Sequence, residues 1–124
     1  MNLLLDTHIL LWWLSGSRRV PALARKTIAD SPRIYVSAAT VWEIAIKIAL
    51  GKLEFRGEMA EQLALNNLLS LAVTVPHALV AGALPMHHSD PFDRMLIAQA
   101  KLESLTLVTH DVRLRDYDIP VLVV

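Results

Sequence analysis

Four acids stand where an acid can do chemistry: Asp6, Glu43, Asp93 and Asp111. Asp6 follows the apolar run Leu3-Leu4-Leu5, and Asp111 follows Leu105-Thr106-Leu107-Val108-Thr109 across one residue, His110. Glu43 lies in the first turns of a helix-patterned segment opened by Ser37. Asp93 lies in the first turn of another, opened by Asp90-Pro91. Carboxylates brought together repel. One pair about 4 Å apart costs on the order of 4 kcal/mol at an effective dielectric near 20. Such a cluster stays ionised at neutral pH only beside cations, and an all-oxygen set prefers Mg²⁺ or Mn²⁺ to zinc or copper. One or two such ions would activate a water and steady the charge on a phosphodiester. The acids therefore point to metal-dependent phosphodiester hydrolysis.

Each acid also has a plainer reading. Asp6 could cap the helix that follows it. Glu43 and Lys47, one turn apart, could be a surface pair worth about 0.3–0.5 kcal/mol. Asp93 suits a first turn through the helix dipole, and Asp111 suits a turn. Asp90 reads as the cap of its helix and stays outside the ligand set. What distinguishes the four is their shared end of one sheet.

The elements that must position them follow from pattern. Leu3-Leu4-Leu5 is a short, wholly apolar strand, as in the middle of a parallel sheet. Thr7 is the expected cap of a helix over His8–Leu14, which Ser15-Gly16-Ser17 breaks. A second helix is expected over Pro21–Ala29 and a second strand over Ile34–Val36. Ser37 caps an amphipathic helix whose apolar stripe is Val41, Ile44, Ala45, Ile48 and Ala49, with Gly51 closing it. Further on come a helix Glu58–Leu69, a strand Leu71–Val75 stopped by Pro76, and a short helix Ala78–Ala83. Asp90 and Pro91 suit the N-cap and first position of a helix with Phe92, Leu96 and Ala100 on one stripe. A fourth strand ends at Thr109, and Val121–Val124 behind Pro120 suits an edge strand. Strands alternating with helices mean a parallel sheet covered on both faces. Ligands of such sheets bind beyond the carboxyl ends of the strands, where strand order reverses. With strands one and four adjacent, Asp6 and Asp111 converge there.

The 124 residues are read as one domain spanning 1–124, 54% hydrophobic and 19% charged. Without cysteine there is no disulfide or thiolate site. The apolar N-terminus lacks a basic flank and is interrupted by Asp6 and His8, so it is not read as a signal peptide. No run approaches the roughly 18 apolar residues of a spanning helix, and a cytoplasmic protein is expected. Twelve bases balance twelve acids, which argues against a general nucleic-acid binder. Setting the four acids aside leaves eight acids against twelve bases, and the densest basic stretch holds Arg18, Arg19, Arg25 and Lys26.

Leu-Leu-Leu-Asp6-Thr7, the segment Ser37 to Val41-Trp42-Glu43-Ile44, Asp90-Pro91-Phe92-Asp93-Arg94 and Leu107-Val108-Thr109-His110-Asp111 together resemble the PIN-domain ribonucleases. The nearer likeness is to the VapC-type toxins of toxin–antitoxin pairs, and it covers the whole chain. This resemblance implies a three-layer α/β/α fold with strand order 3-2-1-4-5. It implies a Mg²⁺- or Mn²⁺-dependent endoribonuclease that leaves 5′-phosphate and 3′-hydroxyl ends. Asp6 and Asp93 become the principal metal ligands, and Glu43 and Asp111 complete the acidic shell or position water. Thr7, Thr109 and Arg94 become supporting residues, Thr109 through its hydroxyl and Arg94 as a phosphate contact or a salt bridge. An RNA substrate, a homodimer and an antitoxin packed across the groove are implied as partners.

Other residues keep two readings. His8 and His110 flank two of the acids and could bind phosphate or be plain loop histidines. His87 and His88 precede the Asp93 helix, and a zinc pair there lacks obvious further ligands. Of the adjacent Trp12 and Trp13, at least one should face away from the core, since neighbours on a helix point about 100° apart. A PIN scaffold without catalysis, or a PIN nuclease of RNA processing, is the alternative to a toxin. An aspartyl phosphatase would want a second Asp where His8 stands.

Overall fold

The computed structural model describes residues 1–124. Its strands are β1 (Leu3–Leu5), β2 (Ile34–Ser37), β3 (Leu69–Leu71), β4 (Thr106–Thr109) and β5 (Val121–Val123). Its helices are α1 (Thr7–Ser15), α2 (Ala22–Ala29), α3 (Ala38–Ala49), α4 (Met59–Leu65), α5 (Val75–Ala83) and α6 (Pro91–Leu102). A 3₁₀ turn over Val112–Asp116 follows β4. The five strands are all parallel, in the order β3-β2-β1-β4-β5.

The pleat of β1 explains the three layers. Leu3 and Leu5 point to one face and Leu4 to the other, because side chains alternate along a strand. The first face packs Leu3 and Leu5 against Ile9, Ile28, Ile44 and Leu63, from α1 to α4. The second packs Leu4 against Leu96, Ile97, Leu107 and Tyr117. All three leucines are fully buried. Truncating any of them to Ala should cost about 2–5 kcal/mol. With Leu5 opposite Val108 in the parallel register, β1 and β4 end together. That is the reversal point the acids require.

Local chemistry moves several boundaries away from the sequence expectation. Asp6, not Thr7, caps α1: its side chain accepts from Ile9 N, so the helix begins at Thr7. The Thr7 hydroxyl is thereby freed for another bond. Gly16 closes α1 at φ +67°, where Ser17 N returns to Trp12 O. Helix α4 stops at Leu65, because Asn67 adopts φ +56° and Leu68 N turns back to Leu63 O. The chain is then extended early, and the third strand is Leu69–Leu71 instead of Leu71–Val75. Pro76 does not end that strand; it occupies the first turn of α5. Thr74 caps α5 reciprocally with His77, which takes Thr74 and Val75 out of the sheet.

The stripe on α3 is also turned. Ile44 is buried, but Ala45, Ile48 and Ala49 are exposed. The inward face is Thr40, Glu43, Ile44 and Lys47, at i, i+3, i+4 and i+7, so Glu43 is directed into the protein. Trp42 lies 64% exposed, edge-on to Phe92 at 5.5 Å. Periodicity marks an apolar face without saying whether it meets a core or a partner. Trp12 and Trp13 are each half-buried. No helix is long and apolar enough to cross a membrane.

Candidate metal centre

A cleft of about 490 Å³ opens beyond the carboxyl ends of β1 and β4, and Asp6, Glu43, Asp93 and Asp111 all line it. Its only apolar lining residue is Val112. Four elements bring the acids together. Asp6 is the residue between β1 and α1, and Glu43 is on the inner face of α3. Asp93 is in the first turn of α6, and Asp111 caps the 3₁₀ turn.

Asp6 is 5% exposed. Its Oδ1 accepts from Ile9 N at 2.9 Å and its Oδ2 from Thr109 Oγ1 at 2.5 Å. The cap and the ligand readings are therefore compatible, since each carboxylate oxygen keeps a further lone pair. Burial raises the Asp6 pKa above its ordinary value, against the lowering pull of the Thr109 and Ile9 hydrogen bonds. Glu43 is no loose surface partner of Lys47. Its Oε1 accepts from Thr7 Oγ1 at 2.7 Å and its Oε2 from Lys47 Nζ at 2.8 Å, and the residue is 9% exposed.

Asp93 sits behind the cap formed by Asp90, whose Oδ1 accepts from Phe92 N and Asp93 N at 2.8 and 3.1 Å. Burial first, and then the charge of Asp90, push the Asp93 carboxyl up to about 6, with Asp6 and Glu43 adding to the rise. The opposing influence is His88. Asp111 goes the other way: hydrogen bonds from Arg113 hold it down at about 2. That guanidinium grips both carboxylate oxygens, through Nε at 3.0 Å to Oδ1 and Nη2 at 2.7 Å to Oδ2.

Two residues of the cleft carry more than their sequence reading. His88 Nε2 is 3.0 Å from Asp93 Oδ2 and 3.3 Å from Asp111 Oδ2, set between them and well aligned with neither. Its Nδ1 accepts from Asp90 N at 3.3 Å, so the ring proton faces the two acids. Arg113 had no sequence signal beyond standing two residues after Asp111. A third residue departs from expectation. Arg94 touches neither an acid nor the cleft; it is buried and donates to the carbonyls of Ala81, Gly82, Leu84, Pro85 and His88. It is the anchor of the loop that delivers His88 and Asp90. Thr109, fully buried, lies behind Asp6.

These residues fit a hard divalent cation. Burial raises Asp6 and Asp93, and neighbouring acids raise Asp93 further, the condition a cation relieves; the donors they offer are carboxylate oxygens. The ligand atoms of His88, Asp93 and Asp111 all lie within 4.8 Å of one another.

Comparison with known proteins agrees with this frame. The PIN domain family model matches residues 3–120. Ribonuclease VapC22 of Mycobacterium tuberculosis (strain ATCC 25618 / H37Rv) is 30% identical over 127 residues, covering 96% of this chain and 94% of that one. VapBC2 of Rickettsia felis, solved bound to a promoter DNA fragment, superposes with a TM-score of 0.73 at 15% identity, over 98% of both chains. A toxin–antitoxin complex from Klebsiella pneumoniae gives 0.68 at 23% identity, over 96% of this chain and 94% of that one. The likeness runs through nearly the full length and the fold, and the chain belongs to the PIN-domain family, among the relatives of the VapC type.

Proposed function

We propose that this protein is a Mg²⁺- or Mn²⁺-dependent endoribonuclease and the toxin of a toxin–antitoxin pair. The single observation that carries the reading is the convergence of Asp6, Glu43, Asp93 and Asp111 on one cleft, where burial raises Asp6 and burial and neighbouring acids raise Asp93. Its kinship to a VapC ribonuclease supports RNA as the substrate.

Asp6 and Asp93 would hold the cation, with Glu43 and Asp111 completing the acidic shell. A bound divalent ion supplies charge neutralisation at the phosphodiester and acidifies the attacking water. Thr109 and the α1 backbone hold Asp6 in place, and Thr7 and Lys47 hold Glu43. Lys47 also lines the cleft wall, with its ammonium held on Glu43. The chain acts as one unit over residues 1–124. A homodimer is supported by the apolar side chains left on the outer faces of α3 and α5, among them Trp42, Ile48, Val75 and Leu79. The toxin–antitoxin assemblies of like fold support an antitoxin partner.

The test is cleavage of a mixed RNA pool by antitoxin-free protein in Mg²⁺ or Mn²⁺, with and without EDTA. Cutting should need the metal and fall by about 100-fold or more in Asp6→Asn and in Asp93→Asn. Purified protein that binds no divalent ion and cuts nothing would leave a binding scaffold instead.

A further inference from the structure

Beside the acidic cleft lies a second cavity, of about 510 Å³, which shares His8 and His110 with it and adds Trp12 and Arg19. No acid lines this second space. His8 and Trp12 stand one turn apart on α1, and their rings lie 5.9 Å apart. His110 meets the Trp12 indole edge-on at 5.2 Å. The Arg19 guanidinium lies 5.5 Å from the centroid of the same indole. His110 Nδ1 donates to Val124 O at 2.7 Å, which orients the ring and leaves Nε2 as an acceptor.

Core packing accounts for only part of this group. Trp12 rests against the core cluster of β1 and α1 yet remains half-buried, and His8, Arg19 and His110 are exposed. A leucine at position 12 would serve the core without an aromatic face. The group offers an aromatic surface, a guanidinium and an oriented imidazole acceptor, beside a cleft whose acids repel phosphate. Single-stranded RNA is bound by that combination, with bases stacked on aromatic or guanidinium planes and cations following the backbone.

We propose that the cavity is a nucleobase subsite of the nuclease. The base next to the scissile phosphodiester packs against Trp12 and Arg19, and His110 Nε2 accepts from an exocyclic amine. This rests on the nuclease reading. RNA is favoured over a protein segment because the lining is cationic and aromatic and shares His8 and His110 with the acidic cleft.

The experiment compares a mixed-sequence single-stranded octaribonucleotide with an abasic ribose-phosphate octamer of equal length. Fluorescence anisotropy is read in Asp6→Asn/Asp93→Asn protein, which holds RNA uncut with two repelling charges removed. The base-bearing oligomer should bind about fivefold tighter or better. Trp12→Ala should erase that preference and Trp12→Phe should keep most of it, while His110→Gln, at an exposed position, should reduce it. In otherwise unaltered protein with Mn²⁺, Trp12→Ala should redistribute the cleavage positions. An unchanged base preference and an unchanged cleavage pattern in Trp12→Ala would overturn the subsite, assign the surface to a protein partner, and leave the nuclease standing. Failure of the unsubstituted protein to bind or cut RNA at all would remove the nuclease reading and this one with it.

Discussion

Thr109 Oγ1 donates to Asp6 Oδ2 at 2.5 Å, joining residues 103 positions apart at the carboxyl ends of β4 and β1. The same oxygen accepts from Asp111 N at 3.1 Å. One hydroxyl thus sets the position of an acid on each side of the sheet's reversal point. Thr109→Val keeps the shape and removes both bonds. Stability measured by urea unfolding should fall by about 1–3 kcal/mol, and Mn²⁺ affinity by calorimetry should fall with it. Thr109→Ser should restore most of both. Full Mn²⁺ affinity in the valine variant would show that Asp6 needs no such tether.

The raised acids make the metal-free protein sensitive to alkali. A carboxyl held near 6 in the fold and near 3.8 in the unfolded chain favours folding when protonated. The stability it contributes is present below pH 3.8 and is lost as pH rises through about 6; Asp6 acts in the same direction. Asp111, held near 2, contributes throughout this range and does not change across it. In EDTA, the melting temperature of Asp93→Asn should therefore exceed that of the unsubstituted protein by several degrees at pH 7.5, and by less at pH 5. Adding Mn²⁺ at pH 7.5 should close the gap. Equal melting temperatures at both pH values would contradict the raised pKa.

Arg94 is a structural cation. Its guanidinium is spread over five backbone carbonyls between Ala81 and His88, and burial makes those partners dependent on it. Arg94→Ala should cost about 3–5 kcal/mol, and Arg94→Lys should recover little, because a compact ammonium cannot reach the same fork of acceptors. Thermal unfolding checks this. Loss of cleavage with unchanged stability would return Arg94 to substrate binding.

Arg113 competes with a cation for Asp111. Its side chain is 63% exposed, so its removal should leave stability essentially unchanged. Arg113→Gln takes the guanidinium off both Asp111 oxygens, leaving Oδ1 only the backbone N–H of residue 113, and should tighten Mn²⁺ binding severalfold by calorimetry. Weaker binding would mean that Arg113 orients Asp111 for the metal instead of blocking it.

The acids were legible because each stands at a punctuated position: Asp6 after three leucines, Asp93 behind Asp90-Pro91, Asp111 behind a strand. Local signals of this kind survive in any single sequence. His88 was not legible as a neighbour of Asp93 and Asp111, because its loop is aimed by Arg94, whose acceptors lie up to 13 residues away. The third strand was misplaced for a local reason: the Asn66-Asn67 turn and the Thr74–His77 cap outweighed a longer apolar run.

Hydrophobic pattern, caps and turn residues, all short-range, are enough to specify alternating strands and helices and to put an acid at the edge of each key element. They determine the fold class. Which way each acid faces is a long-range matter. Packing on β1 and α6 turned Glu43 inward and left Ala45 and Ile48 outside. Burial raised Asp93, and an exposed arginine lowered Asp111. A carboxylate's charge depends on what surrounds it, and only the folded chain brings those surroundings together.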